Sequence, residues 1–243
     1  MNDQSELFSY EGRDLEVMAF AENYHTWLCD IFRPYIGART AEVGAGSGNI
    51  TSILLSEHVQ ELVAVEPSHE MYPLLERKFA EEKRVHTRQS FFEGIYREYE
   101  NTFDTVVYVN VLEHVEKDAE ELKYVHDALK VGGHVCIFVP ALQWLYSPTD
   151  KELGHYRRYH APQLRTLMEN ADFEVVRLTY FDILGVIPWF VLIKLLQKKI
   201  QSGDVALYDK YAIPLMRMIE SRITIPVGKN LLAIGKKVVK KDI

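Results

Sequence analysis

The chain has 243 residues, 47% of them hydrophobic and 26% charged, with a formal net charge of −7. These proportions exclude a disordered chain and argue against a general nucleic-acid binder. Its two cysteines, Cys29 and Cys136, supply neither a disulfide framework nor a CxxC metal site, so no metal is expected.

The first residues, MNDQSELFSYEGRD, are polar and acidic and read as neither a signal peptide nor a transit peptide. A cytoplasmic protein of one domain, 1–243, is expected. Val17, Ala21, Tyr24, Leu28 and Ile31 recur at helical spacing before Pro34, predicting an N-terminal helical cap over 1–36.

Strand and helix signals then alternate. Thr40–Val43 reads as a short buried strand, Gly44–Gly48 as a glycine turn and Asn49–Leu55 as the start of a helix. Glu61–Glu66 is a second strand, followed by a helix over about His69–Glu82. Val85–Ser90 and Asp104–Asn110 are the next strands. Lys117–Leu129 is an amphipathic helix stopped at Gly132-Gly133, and His134–Pro140 is a fifth strand. A helix over Ala161–Asn170, with Pro162 in its first turn, precedes a sixth strand at Phe173–Phe181. Asn230–Val238 is the last strand.

Short β-branched runs separated by helices mean βαβ units and a parallel sheet covered on both faces. The expected class is α/β, a doubly wound, Rossmann-like sheet. Its core is expected over 37–184 and 227–243. The roughly 45 residues between the sixth and last strands are too many for a plain loop, so 185–226 is read as a helical insertion.

From Lys194 onward there are 11 Lys+Arg against 4 Asp+Glu, leaving 17 against 31 for the rest. The end of the chain is therefore near +7 and the remainder near −14. The longest uncharged apolar run, Ile183–Ile193, is well short of the about 20 residues a spanning helix needs. The insertion reads as a lid or a homodimer contact. A sharper reading of 185–243 is a membrane-surface element, with Trp189 and Phe190 opposite Lys194, Lys198 and Lys199.

Four motifs carry chemistry. In AEVGAGSGN, Ala41–Asn49, a strand enters a glycine turn and then a helix, which suits a ligand pressed close to the backbone. Asn49 stands where a dinucleotide fingerprint has its third glycine, and no GK[ST] follows. Glu66 ends the second strand, where a carboxylate accepts ribose hydroxyls, or is simply a solvated acid. Phe103–Asp118 places Asn110 at the carboxyl end of a strand, with Glu113 and His114 beyond it. Leu129–Pro140 is architectural.

With EVGAGSG, VAVEPS, FDTVVYVNVLEHVEKD and LKVGGHVCIFVP in this order, the chain resembles class I S-adenosylmethionine-dependent methyltransferases. The motifs cover roughly Asn23–Pro140. The resemblance implies seven strands, the last antiparallel, and S-adenosylmethionine as cofactor. It implies that Glu42, Gly44, Ala45, Gly46 and Gly48 line the methionine part. Glu66 would hold the ribose, Pro67 and Ser68 would lie beside the adenine, and Asn110 would offer its backbone near the amino group. Where many members carry Asp after the third strand, this chain has RQSFF. Gln89 or Ser90 would accept the adenine's hydrogen bond, with Phe91 on the ring. Tyr24 is read as a cofactor neighbour or a core aromatic. His114 either faces the cofactor or caps the next helix.

Asn23–Gly37, Val139–Leu164 and Asn230–Lys237 are similar to a narrower bacterial group tied to polysaccharide, lipid or secondary-metabolite pathways. Physically, DKELGHYRRYH packs two Arg and two His beyond the fifth strand. Arg157 and Arg158, with Tyr159, are expected to clamp an anionic acceptor, and His155 or Tyr156 to orient or deprotonate it. The competing reading pairs the arginines with local acids such as Asp150 and Glu152. The expected reaction is in-line methyl transfer to O or N of a small-molecule, sugar- or lipid-linked acceptor, with no nucleic acid involved. An NAD-dependent oxidoreductase and a non-catalytic partner subunit are the alternatives, and methylation of RNA or DNA is a third, for which the basic tail leaves room.

Overall fold

Successive residues of a strand face opposite sides of a sheet, and here both sides are apolar and covered. The computed structural model describes residues 21–55, 58–198 and 202–239. The strands are β1 (Arg39–Val43), β2 (Glu61–Val65), β3 (Val85–Arg88), β4 (Phe103–Val109), β5 (Leu129–Pro140), β6 (Phe173–Phe181) and β7 (Asn230–Lys237). They form one seven-stranded sheet in the order β3-β2-β1-β4-β5-β7-β6. β1 to β5 pair in parallel, and β7 runs antiparallel between β5 and β6. This is the expected class, with the helical insertion ahead of the last strand.

Alternation divides the core into two layers. Val63, Val65, Val106, Tyr108, Val135 and Ile137 point into one. Leu62, Ala64, Val107, Cys136 and Phe138 point into the other. The helices are α1 (Glu22–Phe32), α2 (Asn49–Leu54), α3 (Tyr72–Phe79), α4 (Phe92–Ile95), α5 (Asp118–Ala128), α6 (Pro148–Glu152) and α7 (Ala161–Asn170). α8 is the turn Val186–Pro188, which continues as a π-helical stretch through Trp189–Leu195, and α9 is Ser202–Glu220.

The helix expected from His69 begins only at Tyr72, because the Ser68 hydroxyl takes the amides of Glu70 and Met71 in a turn of its own. The amphipathic helix ends at Ala128, and β5 starts at once, with Leu129 opposite Phe103. Gly132-Gly133 forms a bulge inside the strand instead of the stop that was expected. At Gly133 an added Cβ would lie 3.0 Å from the Asp104 carbonyl oxygen, so the partner backbone passes too close for a side chain.

α1 and α9 are tied together. Asp209 accepts the backbone N–H groups of Asn23 and Tyr24 at 3.0 and 2.9 Å, satisfying amides that a helix start leaves without partners. The part of the predicted N-terminal helix before residue 21 and Lys199 lie outside the described residues. No helix among the described residues is long and apolar enough to cross a membrane. Of the 19 exposed large hydrophobic residues among the described ones, 11 fall between Leu184 and Ile223. On α9, Leu207, Tyr211, Leu215 and Met218 form one exposed stripe, while Ile213 and Met216 are buried. A cleft lined by Pro34, Gly37, Asp104 and His134 lies at the opposite, amino-terminal end of the strands.

Candidate active site

The carboxyl ends of β1, β2 and β4 lie side by side, because these strands are neighbours in the sheet. The turn after β1 is bound to β2. The amides of Gly44 and Ala45 both donate to the Val65 carbonyl, at 2.8 and 3.0 Å. Gly44, Gly46 and Gly48 have φ of 71°, 55° and 81°, a left-handed path that side chains resist. At Gly44 a Cβ would meet Val111 Cγ2 at 2.3 Å, and at Gly48 it would meet Phe79 at 2.4 Å. The turn is thus pressed against the segment after β4.

Two carboxylates are buried beneath it. Glu66 accepts the Gly46 amide at 2.7 Å through Oε2 and the Ser68 amide at 2.8 Å through Oε1. Each oxygen keeps a second lone pair for a ligand hydroxyl. Burial raises its pKa against those two bonds. Glu42 is 2% exposed and accepts the Thr51 hydroxyl at 2.6 Å. Burial pushes its carboxyl up to about 8; the Thr51 bond opposes the rise and the Glu66 charge adds to it. A cationic ligand would restore its charge. These features fit S-adenosylmethionine, which carries cationic ammonium and sulfonium groups and a ribose diol. Asn110 follows β4 directly with φ of 53° and donates its backbone N–H to the Phe138 carbonyl at 2.8 Å. It is exposed at this edge.

The other predicted contacts fall less evenly. Pro67 is half-buried, and Ser68 is buried in its own turn. Gln89 Nε2 lies 3.0 Å from His69 Nδ1, Ser90 bonds the Phe91 carbonyl, and the Phe91 ring is exposed. Tyr24 is a core aromatic. It is 5% exposed, packs edge-on against Phe138 and Phe181, and donates its hydroxyl to Asn230. Burial raises its pKa well above the ordinary tyrosine value.

A second group forms where residues 110–118 meet 143–160. The Tyr156 amide donates to the Glu113 carbonyl at 2.8 Å, and the Tyr159 hydroxyl donates to Asp118 at 2.8 Å. Three expectations need correction. Arg158 is 2% exposed and forms an ion pair with the fully buried Asp150 at 2.8 Å. Tyr159 is 0% exposed, so neither residue reaches an acceptor from solvent. Arg157 pairs with Asp118 at 2.6 Å and bonds the Glu116 carbonyl. Arg158 thus pairs with the local acid Asp150, whereas Arg157 pairs with Asp118 from the segment after β4, and both guanidinium groups are engaged by carboxylates.

Asp150 was read only as a local acid. Burial alone would raise its pKa, but bonds from His155, Arg158 and Ser147 hold it below the usual value. His155 Nδ1 lies 3.0 Å from Asp150 Oδ1. The His114 and His155 rings meet edge-on with centroids 4.6 Å apart. Burial, with His155 nearby, lowers the His114 pKa to about 3. Glu113, which the sequence reading did not assign, is fully buried, and burial pushes its carboxyl up to about 7. Tyr156 is exposed, with the Arg157 guanidinium by its ring.

The insertion lies on this group. Trp144 and Phe190 meet with centroids 5.7 Å apart, Lys194 Nζ bonds the Trp144 carbonyl, and the Arg158 guanidinium lies 4.6 Å from the Trp189 ring centroid.

Comparison with known proteins agrees with this fold. The family model described as Methyltransferase domain matches residues 21–178. A tRNA U34 carboxymethyltransferase of Helicobacter acinonychis (strain Sheeba) is 28% identical over 136 residues, 55% of this chain and 48% of the relative. The match thus spans about half the length of that curated relative. A solved S-adenosylmethionine-dependent methyltransferase from Archaeoglobus fulgidus superimposes with TM-score 0.61 at 18% identity, covering 92% of this chain and 99% of that one. A chain of the complex between the Haloferax volcanii Trm112 methyltransferase activator and a protein named as a methyltransferase superimposes with TM-score 0.65 at 15% identity, covering 94% and 95%. The chain belongs to the methyltransferase domain family, and its sheet order and glycine turn are those of the class I S-adenosylmethionine-dependent methyltransferase fold.

Proposed function

We propose that this enzyme methylates O or N of a lipid-linked acceptor presented at an anionic membrane surface. The observation that carries the reading is the exposed apolar face of Leu184–Ile223 lying directly on the acceptor-side segment through Phe190, Trp189 and Lys194. The stretch from Lys194 is near +7 and the rest near −14. Anionic lipid would attract the cationic residues of this stretch that remain exposed.

S-adenosylmethionine supplies a methyl group on a sulfonium centre when bound. Glu42, Gly44, Ala45, Gly46 and Gly48 are assigned to its methionine part, Glu66 to the ribose and Asn110 to the amino group. Pro67, Ser68, Gln89, Ser90 and Phe91 are assigned to the adenine side. The protein's task is alignment and exclusion of water. On the acceptor side, the ionised Asp150 accepts from His155 Nδ1, which leaves Nε2 as the nitrogen aimed at acceptor chemistry.

The test is transfer of labelled methyl from S-adenosylmethionine into total lipid, small metabolites and tRNA in parallel, with sedimentation on anionic and neutral vesicles. Label in the lipid fraction and salt-sensitive binding to anionic vesicles support the reading. Label in tRNA alone would favour the second reading, suggested by the tRNA-modifying relative. A stable dimer that does not bind vesicles would assign the apolar face to a second copy.

A further inference from the structure

Just beyond β4 the chain forms a 310 turn, Leu112–His114. Glu113 in that turn is 0% exposed, and neither of its carboxylate oxygens has a hydrogen-bond partner. An uncompensated buried carboxylate is costly, and such groups pair with a cation or coordinate a metal. Two imidazoles surround it. The ligand atoms of Glu113, His114 and His155 all lie within 4.8 Å of one another.

Each imidazole is held from behind. The carboxylate of Asp150 can only accept, so His155 Nδ1 carries the proton at 3.0 Å and Nε2 keeps its lone pair. Asp150 is itself fixed by the Ser147 amide at 2.9 Å, the Ser147 hydroxyl at 2.8 Å and Arg158 Nε at 2.8 Å. The His114 ring is hydrogen-bonded to the backbone of Gly154. Metal-binding histidines are braced in this way, with the second nitrogen given to a carboxylate or a backbone carbonyl.

We propose that Glu113, His114 and His155 form a binding site for a divalent transition-metal ion of the zinc class. Two imidazoles and one carboxylate suit zinc, whereas magnesium and calcium prefer oxygen throughout. Bonds of about 2.1 Å in a tetrahedral site set ligand atoms roughly 3.4 Å apart. Side-chain rotation of about 1 Å therefore closes the site. Three protein ligands leave a position for an oxygen of water or acceptor. The metal site stands apart from the acceptor reading, and only its role rests on it. An acceptor hydroxyl at the open position would be acidified by the ion, and His155 would serve as a ligand instead of a base. Residues 113, 114 and 155 have no standard metal-ligand spacing, so the sequence alone gives no sign of this cluster.

The experiment uses the untagged full chain stripped with a chelator. Zinc affinity is measured by competition with a chromophoric chelator, and cobalt is added for its tetrahedral absorption bands. One ion per chain is expected. Glu113→Gln and His155→Ala should each weaken binding more than tenfold, and Asp150→Asn should weaken it by about 10- to 100-fold through the brace. Circular dichroism confirms the fold of each variant. If one variant fails to fold, the other supplies the comparison. Zinc bound no more tightly by the native chain than by Glu113→Gln or His155→Ala, or bound with no defined stoichiometry, overturns the site. Calorimetry with S-adenosylmethionine on the same samples keeps the questions separate. Zinc without cofactor binding would sink the functional reading and leave the metal site standing.

Discussion

Replacing Glu42 by Gln should stabilise the protein, and the gain should grow with pH. In the folded chain the Glu42 carboxyl is pushed up from its ordinary 4.5 to about 8, mainly by burial. Between those values the folded state holds a proton that the unfolded chain has released. Stability contributed at low pH is therefore lost as pH rises through that window, at about 1.4 kcal/mol per unit. The loss is on the order of 3 kcal/mol at pH 7 and roughly 5 kcal/mol above pH 8, both upper figures because water and local relaxation soften burial. Gln does not titrate and can still accept the Thr51 hydroxyl, now at 2.6 Å from Glu42. Urea unfolding of both proteins near pH 5.5, 7 and 8.5 reads the difference. A gap that widens with pH is expected; a gap constant with pH would refute the reasoning. A cationic ligand beside Glu42 should also expel the proton. Calorimetry with S-adenosylmethionine in buffers of different ionisation heat should then show proton release near pH 7 in the native enzyme and none in the variant.

Glu66→Ala should weaken S-adenosylmethionine binding by roughly 1–3 kcal/mol, the cost of losing a charged hydrogen bond; unchanged affinity by calorimetry would remove Glu66 from the ribose. Gly44→Ala must take φ of 71° against Val111, so a stability loss of about 1–3 kcal/mol is expected in thermal melts. Arg158→Met removes the guanidinium from the fully buried Asp150 and leaves it only Ser147 and His155, which should cost about 3–5 kcal/mol. Arg157→Ala breaks a more exposed pair and should cost about 1 kcal/mol or less; equal losses would contradict their different burial. The thiols of Cys29 and Cys136 are buried, and burial pushes both upward, Cys29 to about 12. Neither should react with a thiol reagent until the chain unfolds.

The strands and the glycine turn were legible because both rest on local chemistry. Alternating apolar residues and left-handed glycines write the same instruction at short range. β6 and α7 match their predicted bounds to the residue. What the sequence concealed depends on long-range pairing. In the HYRRYH stretch, Arg158 closes on Asp150, a nearby acid the sequence already offered, whereas Arg157 closes on Asp118 at the start of α5, which only the fold brings near. One local signal was available. Ser147 and Asp150 stand three apart around Pro148, a capping-box spacing that predicts a helix start and a buried acid. Glu113 gave no such sign. Its isolation exists only once residues 143–160 have folded over it.

The position of β7 also dictates when this protein can finish folding. β1 to β5 find partners among segments already made, but β6 pairs only with β7, and residues 182–229 separate the two. Until β7 threads between β5 and β6, two β edges lie open, and such edges invite pairing with other chains. Synthesis therefore leaves a window in which five of the seven strands have paired and the far side of the sheet is still open. A chaperone acting on this enzyme would be most useful during that interval. Slowing translation after Phe181 should prolong the vulnerable state and lower the yield of soluble protein.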